Sequence, residues 1–298
     1  MKNIHWKRSS AVLIFLLAVL ALSPPASGQA TGAKAAGAED IRDGKERKGV
    51  RFRGIAEFGF LGVLSHQVQF GKDGTDFDYV EDGGQDLLFP VSRYSLEIEA
   101  GRRNTFILLY QPLAIETEVF LREAAVFDGE TFPDSTGLKS VYGFPFYRAS
   151  YLYQLFPDSK GGDLALGLSL QIRNANIKFE STDGTRLRRN GGLGLVPALK
   201  LRARTRFQER FFAELEADGI YAPVSYLNGS DNEVTGAILD AAFRVGAEVS
   251  EPGALFLGAR YLGGGATGTS TGDVWPGDGY VKNWLHFVIV TAGIVYAF

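Results

Sequence analysis

Residues with the types and spacing of a catalytic site are scarce in this 298-residue chain. Two carboxylates stand two positions apart, at Asp76 and Asp78, and beyond residue 30 the histidines are His66 and His286. Neither histidine has an aspartate two residues before it or a serine two residues after it. Because a nucleophile needs its base within reach, these residues predict no catalytic site.

The stretch 71–86, "GKDGTDFDYVEDGGQD", carries six acidic residues and one basic residue, Lys72. Its carboxylates could hold Ca²⁺ or Mg²⁺ and bridge to lipopolysaccharide phosphates, because hard cations take oxygen ligands. The spacing is not that of an EF-hand, and an acidic run is usually a solvated loop. We therefore assign no metal and no other cofactor to this chain.

Charged residues of both signs recur at alternate positions from residue 53 onwards. They could line a pore that selects ions or small solutes, or they could neutralise one another and plug a narrow lumen. The two signs are interleaved, and this favours the plug. We predict a charge network in the lumen from Arg93, Glu97, Arg148, Arg173, Lys200, Arg202, Arg204, Glu214, Glu216, Asp218 and Arg244. The same parity also holds Arg53, Glu57, Glu99, Asp240, Glu248 and Arg260.

These charges lie in segments where apolar and polar residues alternate. In "LALGLSLQIR" (164–173), leucines and Ile172 fall on one parity, and small or polar residues fall on the other. "RYSLEIEAG", "LVPALKLRAR" and "FFAELEADG" repeat the pattern. A period of two indicates β-strands, and no amphipathic helix of comparable length competes with it.

Turn signals divide the region into an even number of strands joined by alternately short and long connections. Pro112 interrupts the third strand, so the alternative count is twelve. The turn "RFQER", centred on Gln208, would place Arg202 opposite Glu214 and Lys200 opposite Glu216. The ten predicted strands are 50–64, 87–100, 104–126, 138–156, 164–180, 192–205, 210–224, 234–249, 254–263 and 281–298.

The first 49 residues predict export. Lys2, Lys7 and Arg8 precede the apolar run Ala11–Leu22, which is followed by small residues suited to cleavage, so residues 1–30 are predicted to be a signal peptide. Residues 31–49 read as a flexible periplasmic leader, and residues 50–298 as the folded domain. Without the three basic residues of the signal, 28 basic and 34 acidic residues give a net charge of −6, which argues against a nucleic-acid partner. The chain has no cysteine, which excludes disulfides.

The chain ends on "HFVIVTAGIVYAF", in which Val288, Val290, Tyr296 and Phe298 share one parity. This strand resembles the insertion signal of bacterial outer-membrane β-barrel proteins, which ends in Phe with an aromatic residue two positions before it. The resemblance implies an antiparallel up-and-down transmembrane β-barrel in the outer membrane of a Gram-negative-type cell. It also implies recognition of Tyr296 and Phe298 by the barrel-assembly machinery, and contact with outer-membrane lipids and lipopolysaccharide. A secreted β-sandwich is the competing fold, but its terminal residues should not be aromatic.

In size and strand count the chain is similar to the omptin proteases, ten-stranded barrels with an Asp-x-Asp pair and an Asp-x-His pair at the rim. Asp76 and Asp78 match the first pair, and the second is absent. The first and last strands of a closed barrel are neighbours, so His66 and His286 could approach each other at the rim, although a histidine beside Trp284 is typical of an interfacial aromatic girdle.

The sequence therefore predicts a non-enzymatic outer-membrane barrel with a structural or binding role and a plugged, charged lumen. The first alternative is a porin-like narrow channel for small solutes or ions, and the second is an omptin-like rim hydrolase.

Overall fold

The described part of the chain folds almost entirely into β-strands. The computed structural model describes residues 49–157, 162–223, 233–269 and 279–298, so the predicted signal peptide and nearly all of the predicted leader lie outside the described residues. The described residues form no helix long and apolar enough to cross a bilayer. The strands are β1 (Val50–Phe70), β2 (Phe77–Asp78), β3 (Leu88–Ala100), β4 (Asn104–Gln111), β5 (Ala114–Phe120), β6 (Ala125–Phe127), β7 (Glu130–Phe132), β8 (Gly137–Gly143), β9 (Phe146–Gln154), β10 (Asp163–Ser181), β11 (Leu187–Phe207), β12 (Phe211–Pro223), β13 (Glu233–Glu248), β14 (Gly253–Thr269) and β15 (Tyr280–Ala297).

Antiparallel pairing closes twelve of these strands into one barrel, whereas β6 and β7 form a separate hairpin and β2 pairs with β1 alone. The ladder between β15 and β1, from Arg53↔Ala297 to Phe70↔Val281, joins the last strand to the first. The remaining neighbours follow chain order around the wall, with β10 paired to β11. The predicted ten-stranded, antiparallel transmembrane barrel is confirmed, and a closed barrel excludes the sandwich.

Two wall positions are each occupied by two short strands. Pro112 separates β4 from β5, and Pro145 separates β8 from β9. A proline cannot donate to a ladder, so the strand breaks there. Each pair of pieces still fills one position in the wall, which is why the count is ten and not twelve. Strand β5 pairs with β8 alone and has no ladder to β3. The ladder between β3 and β4 begins at Tyr94 and continues to Ala100.

The wall is apolar outside and polar inside. Along β10, Leu166, Leu168, Leu170 and Ile172 are exposed, whereas the intervening Ser169 and Gln171 are buried. In a soluble protein the apolar side chains would be buried and the polar ones exposed. Strand β15 shows the opposite arrangement as well, with Val290 61% exposed. Only a lipid bilayer solvates a continuous belt of this kind without cost, and outer-membrane-type barrels carry such a belt.

The strands are joined by short connections at one end of the barrel and by longer ones at the other. Several strands extend further than predicted at the long-loop end: β1 continues to Phe70, and β14 continues to Thr269. The predicted long loop at 181–191 contracts to residues 182–186. The connection predicted at residues 225–233 lies almost wholly outside the described residues.

The predicted register across the β11–β12 turn is wrong by two residues. Arg202 lies opposite Glu216, Lys200 opposite Asp218, and Arg204 opposite Glu214. The turn comprises residues 208–210 and is centred on Glu209, not Gln208, because Gln208 and Glu209 both adopt a left-handed φ of 50°. The inward parity of every residue is unchanged, because the shift is even.

Among the described residues, the wall contains a wedge without backbone pairing between β11 and β12. Their ladder runs only from Phe207↔Phe211 to Leu199↔Gly219. Beyond it, β11 stays paired with β10 as far as Leu187, and β12 stays paired with β13 as far as Pro223. Residues 187–198 of β11 therefore have no ladder to any described residue on the β12 side, at the long-loop end of the barrel.

Candidate functional site

The half of the lumen at the short-turn end holds a cluster of buried charges, contributed by the inward parity of seven strands. The cluster contains six acidic and six basic side chains, so its formal charge is zero. We call these residues the lumen cluster: Glu57, Arg93, Glu97, Arg148, Lys200, Arg202, Glu214, Glu216, Asp218, Asp240, Arg244 and Arg260.

Some ion pairs of the cluster join neighbouring strands. Lys200 Nζ lies 2.8 Å from Glu216 Oε1 and 2.9 Å from Asp218 Oδ2. Arg260 binds Asp240 through both Nε and Nη2, with the second bond 2.8 Å long. Bidentate arginine–carboxylate pairs of this kind fix both side chains in orientation as well as in distance.

Other pairs of the cluster cross the lumen. Arg244 of β13 donates from Nη2 to Glu57 of β1 at 2.7 Å, while its Nη1 binds Glu214 of the neighbouring strand β12 at 2.8 Å. Arg202 of β11 binds Glu97 of β3. Because β13 is not adjacent to β1, and β11 is not adjacent to β3, the Arg244–Glu57 and Arg202–Glu97 pairs cross the bore.

Nine of the eleven predicted network residues lie in the lumen cluster, and Arg173 and Arg204 do not. The guanidinium of Arg204 lies over the ring of Phe212, 4.6 Å from the ring centroid, and that of Arg173 lies over Phe144 at 5.4 Å. The cluster also includes three residues outside that selection, which lie on the same inward parity in the sequence: Glu57, Asp240 and Arg260. The alternation in the sequence thus places every residue of the lumen cluster on the inward face. It does not distinguish these residues from Arg173 and Arg204, which lie on the same face.

Aromatic side chains fill the lumen at the long-loop end. Phe127 of the β6–β7 hairpin stacks on Phe179 of β10, with ring centroids 3.8 Å apart. Phe77 and Tyr79, from the connection between β1 and β3, pack against the same ring. We call this group the aromatic plug; its fully buried rings are Phe77, Tyr79, Phe127, Phe132, Tyr142 and Phe179.

His66 belongs to the aromatic plug. Its ring stacks on Tyr79 with centroids 4.3 Å apart, and its Nδ1 lies 2.8 Å from Gln85 Oε1. The side chain is fully buried, so no substrate in solution reaches it. Burial also raises the pKa of the Tyr79 hydroxyl well above its usual range, which keeps this loop residue neutral.

His286 lies on the other face of the wall from His66. The strands are neighbours, as expected, with Ser65 opposite His286. His286 Nδ1 hydrogen-bonds to the hydroxyl of Tyr261 at 2.5 Å, on the outward parity of β14 and β15. The two histidines therefore do not form one site.

The aspartates of the acidic stretch have structural partners. Asp78 accepts hydrogen bonds from the backbone N–H groups of Val80 and Glu81, at 2.8 and 3.2 Å, and so stabilises a turn. Asp76 forms an ion pair with Lys282 at 2.6 Å. Among the described residues there is no group of three or more His, Asp or Glu side chains placed to hold a metal ion.

The aromatic residues of the last strand complete the belt at the short-turn end. Phe298 is 68% exposed, its backbone N–H donates to Phe52 O at 3.0 Å, and its ring stacks on that of Phe52. Tyr296 lies two residues earlier on the same outward parity. Both predicted signal residues are thus presented on the outside of the barrel, where the last strand meets the first.

Comparison with known proteins identifies the fold. No protein-family model and no curated protein sequence matches the chain. The solved structure of the outer membrane protease OmpT from Escherichia coli aligns with a TM-score of 0.53 at 10% identity, over 87% of this chain and all of that one. Two other bacterial barrels align less closely: the attachment invasion locus protein of Yersinia pestis (TM-score 0.36, 8% identity, 83% of this chain and 99% of that one) and Neisserial surface protein A (0.29, 12%, 83% and 98%). The chain thus has the fold of the bacterial outer-membrane β-barrel proteins, and at this identity the likeness extends to the fold alone.

Proposed function

We propose that this protein is an outer-membrane barrel with a closed lumen, whose role is structural or ligand-binding and neither a diffusion channel nor a hydrolase. The observation that carries the proposal is the lumen cluster, in which six acids and six bases neutralise one another across the bore. A water-filled pore would leave such groups hydrated and mobile, whereas here they are buried and joined by direct hydrogen bonds.

The free energy needed to break the buried ion pairs favours a lumen that stays closed. Opening the bore requires the separation of several buried pairs at once, and each broken pair leaves an uncompensated charge at a cost of about 3 to 5 kcal/mol. The aromatic plug closes the other half of the lumen with rings that are fully buried. A solute would have to displace both barriers to pass.

The proposal that the protein is not a hydrolase depends on where the candidate catalytic residues lie and what they contact. The fold is shared with OmpT, but Asp78 is used to stabilise a turn, and His66 is enclosed by Tyr79 and Tyr142. In the part of the chain that the structure describes, no general base is therefore positioned beside the aspartate pair at the surface.

Conductance tests the closed lumen. The purified, refolded protein is added to a planar bilayer in 1 M salt, with a general porin as the positive control for insertion. We expect no steady single-channel steps from the wild type, and transient steps from Glu216→Gln, which removes one carboxylate partner from both Lys200 and Arg202. Steady conductance of the wild type would replace this proposal with the narrow channel, and turnover of peptides or phospholipids by the same preparation would replace it with the hydrolase.

A further inference from the structure

A cavity of about 640 Å³ lies between the lumen cluster and the aromatic plug, next to the unpaired wedge of the wall. The lining from β13 and β14 is small, because Gly236, Gly263, Gly264 and Gly265 leave room that other side chains would fill. The rest is largely apolar and includes Leu113, Phe146, Ile220, Ile238, Leu262 and Leu285. This volume falls in the range of sites that bind small organic molecules.

The cavity reaches the outside of the barrel along the free edge of β11. Its lining includes Gly194 and Val196, which are on the inward parity, and also Leu193 and Leu195, which are on the outward parity. Leu193 and Leu195 are 73% and 62% exposed and belong to the apolar belt. These four residues lie where β11 has no ladder to β12. The opening therefore lies on the apolar outer surface of the wall.

One positive charge in the cavity has no acidic partner. Arg173 makes no hydrogen bond or ion pair with any described residue, and its one recorded contact with an aromatic ring is that with Phe144. Each of the five arginines of the lumen cluster, in contrast, binds at least one carboxylate. Arg173 is only partly buried, so its guanidinium is available to pair with an anion that enters the cavity.

The backbone is arranged around this side chain. Gly194 lies opposite Arg173 in the β10–β11 ladder, and a Cβ at Gly194 would come within 2.7 Å of Arg173 Nε. Glycine at this position therefore allows the guanidinium to lie along the wall. Further neutral polar groups line the cavity: Gln171, Asn283 and the hydroxyl of Tyr142, which lies 3.4 Å from Asn283 Oδ1.

We propose that this cavity binds an amphipathic monoanion, a long-chain carboxylate, with its head group on Arg173 and its alkyl chain among the apolar lining residues. The ligand reaches the site from the bilayer, through the wedge between β11 and β12. This inference gives a ligand class to the proposed binding role but does not require a closed lumen, so conductance and ligand binding test the two proposals separately.

Binding of palmitate to the protein in lipid nanodiscs tests the site. We expect saturable, one-site binding by the wild type and a loss of affinity of at least about tenfold in Arg173→Met, since a charged hydrogen bond is lost while the side-chain bulk remains. Hexadecanol, which has the same chain without the charge, should bind both proteins equally. Arg204→Met is the matched control, because Arg204 also stacks on an aromatic ring but does not line the cavity, and it should bind palmitate like the wild type.

A second measurement keeps the inference testable if Arg173→Met misfolds. Palmitate with a diazirine at the end of its chain should label residues 193–197 and 262–266 in the wild-type protein, and the labelling should be competed away by unlabelled palmitate. Gly194→Val, which displaces the Arg173 side chain, should reduce the labelling. Uniform labelling of the apolar belt, equal palmitate affinity in Arg173→Met, or binding of inorganic phosphate but not palmitate would each overturn the proposal.

Discussion

At the scale of single residues, the lumen cluster has one member on which several cations converge. Glu216 accepts from Lys200 at 2.8 Å and from Arg202 at 2.8 Å, and Arg93 lies 3.4 Å away on the opposite wall. If Glu216 loses its charge, each of these three buried cations loses one carboxylate partner. The balance of charge in the cluster therefore depends heavily on this one carboxylate.

We expect Glu216→Gln to lower the free energy of unfolding by about 3 to 5 kcal/mol, the usual cost of breaking a buried ion pair. The measurement is urea unfolding in lipid vesicles, followed by the shift in gel mobility between the unheated and the heated protein.

The matched control is Glu248→Gln, which breaks an exposed pair with Arg206 at 2.7 Å. Exposed pairs contribute only about 0 to 1 kcal/mol, so this variant should unfold almost like the wild type. Equal stability of the Glu216 and Glu248 variants would mean that the lumen charges are hydrated, as in a pore. An exchange of Arg202 with Glu216 should restore only part of the stability, because Glu97 and Lys200 also bind these two residues.

At the scale of elements, the last strand carries Tyr296 and Phe298, the two residues that the sequence predicts to be an insertion signal. β15 pairs on one side with β14 and on the other with β1, so it completes the barrel. Its terminal Phe298 extends beyond the ladder to Ala297 and presents an exposed ring to the lipid belt. We propose that an assembly factor recognises this residue before the barrel closes.

We expect Phe298→Asp to reduce the amount of protein in the outer membrane several-fold, since it puts a charge on the lipid face and removes the terminal aromatic ring. Quantitative immunoblotting of outer-membrane fractions measures this. Ala297→Asp is the control, because Ala297 is on the inward parity opposite Arg53, and its effect should be milder. Undiminished membrane levels of the Phe298 variant would rule out its role as a signal.

Prolines explain the ambiguity in the number of strands. Pro112 breaks an apolar segment, and from the sequence alone a break of this kind is compatible with one interrupted strand or with two. The structure selects the first, because β4 pairs with β9 and β5 pairs with β8, and both partners belong to one neighbouring wall position. The number of strands is thus decided by pairing between segments that are distant in the chain, which no local sequence pattern encodes.

At the scale of the whole molecule, the two ends of the barrel differ, and this difference predicts orientation. The short turns and the C-terminus lie at one end, and the aromatic plug with its longer connections lies at the other. In outer-membrane barrels the short turns face the periplasm and the long loops face outwards.

Single cysteines test this orientation, since the natural chain contains none. We expect Asp73→Cys, in a long connection, to react with a membrane-impermeant maleimide on intact cells, and Glu251→Cys, in a short turn, to react only after lysis. Both positions are exposed, so accessibility in the folded protein is matched. The reverse labelling pattern would invert the topology.

The sequence by itself determines the class of fold and the face on which each side chain lies. Alternation at a period of two, as in residues 164–173, is a local property of an extended backbone, and the inversion of its polarity relative to a soluble protein follows from the solvent around it. The charge pattern in turn predicts an interleaved lumen. These features depend on neighbours along the chain, so they can be read without coordinates.

Tertiary structure alone decides which inward residues meet. A turn with two left-handed residues moved the register of β11 and β12 by two positions, and so changed the partners of Arg202 and Lys200 while leaving their parity intact. Arg173 has the parity of the lumen cluster, yet it lies in the cavity beside the wedge, because the end of the β11–β12 ladder depends on pairings set around the whole barrel. Side-chain direction is a property of one strand, whereas contact across a lumen depends on the register and tilt of all ten.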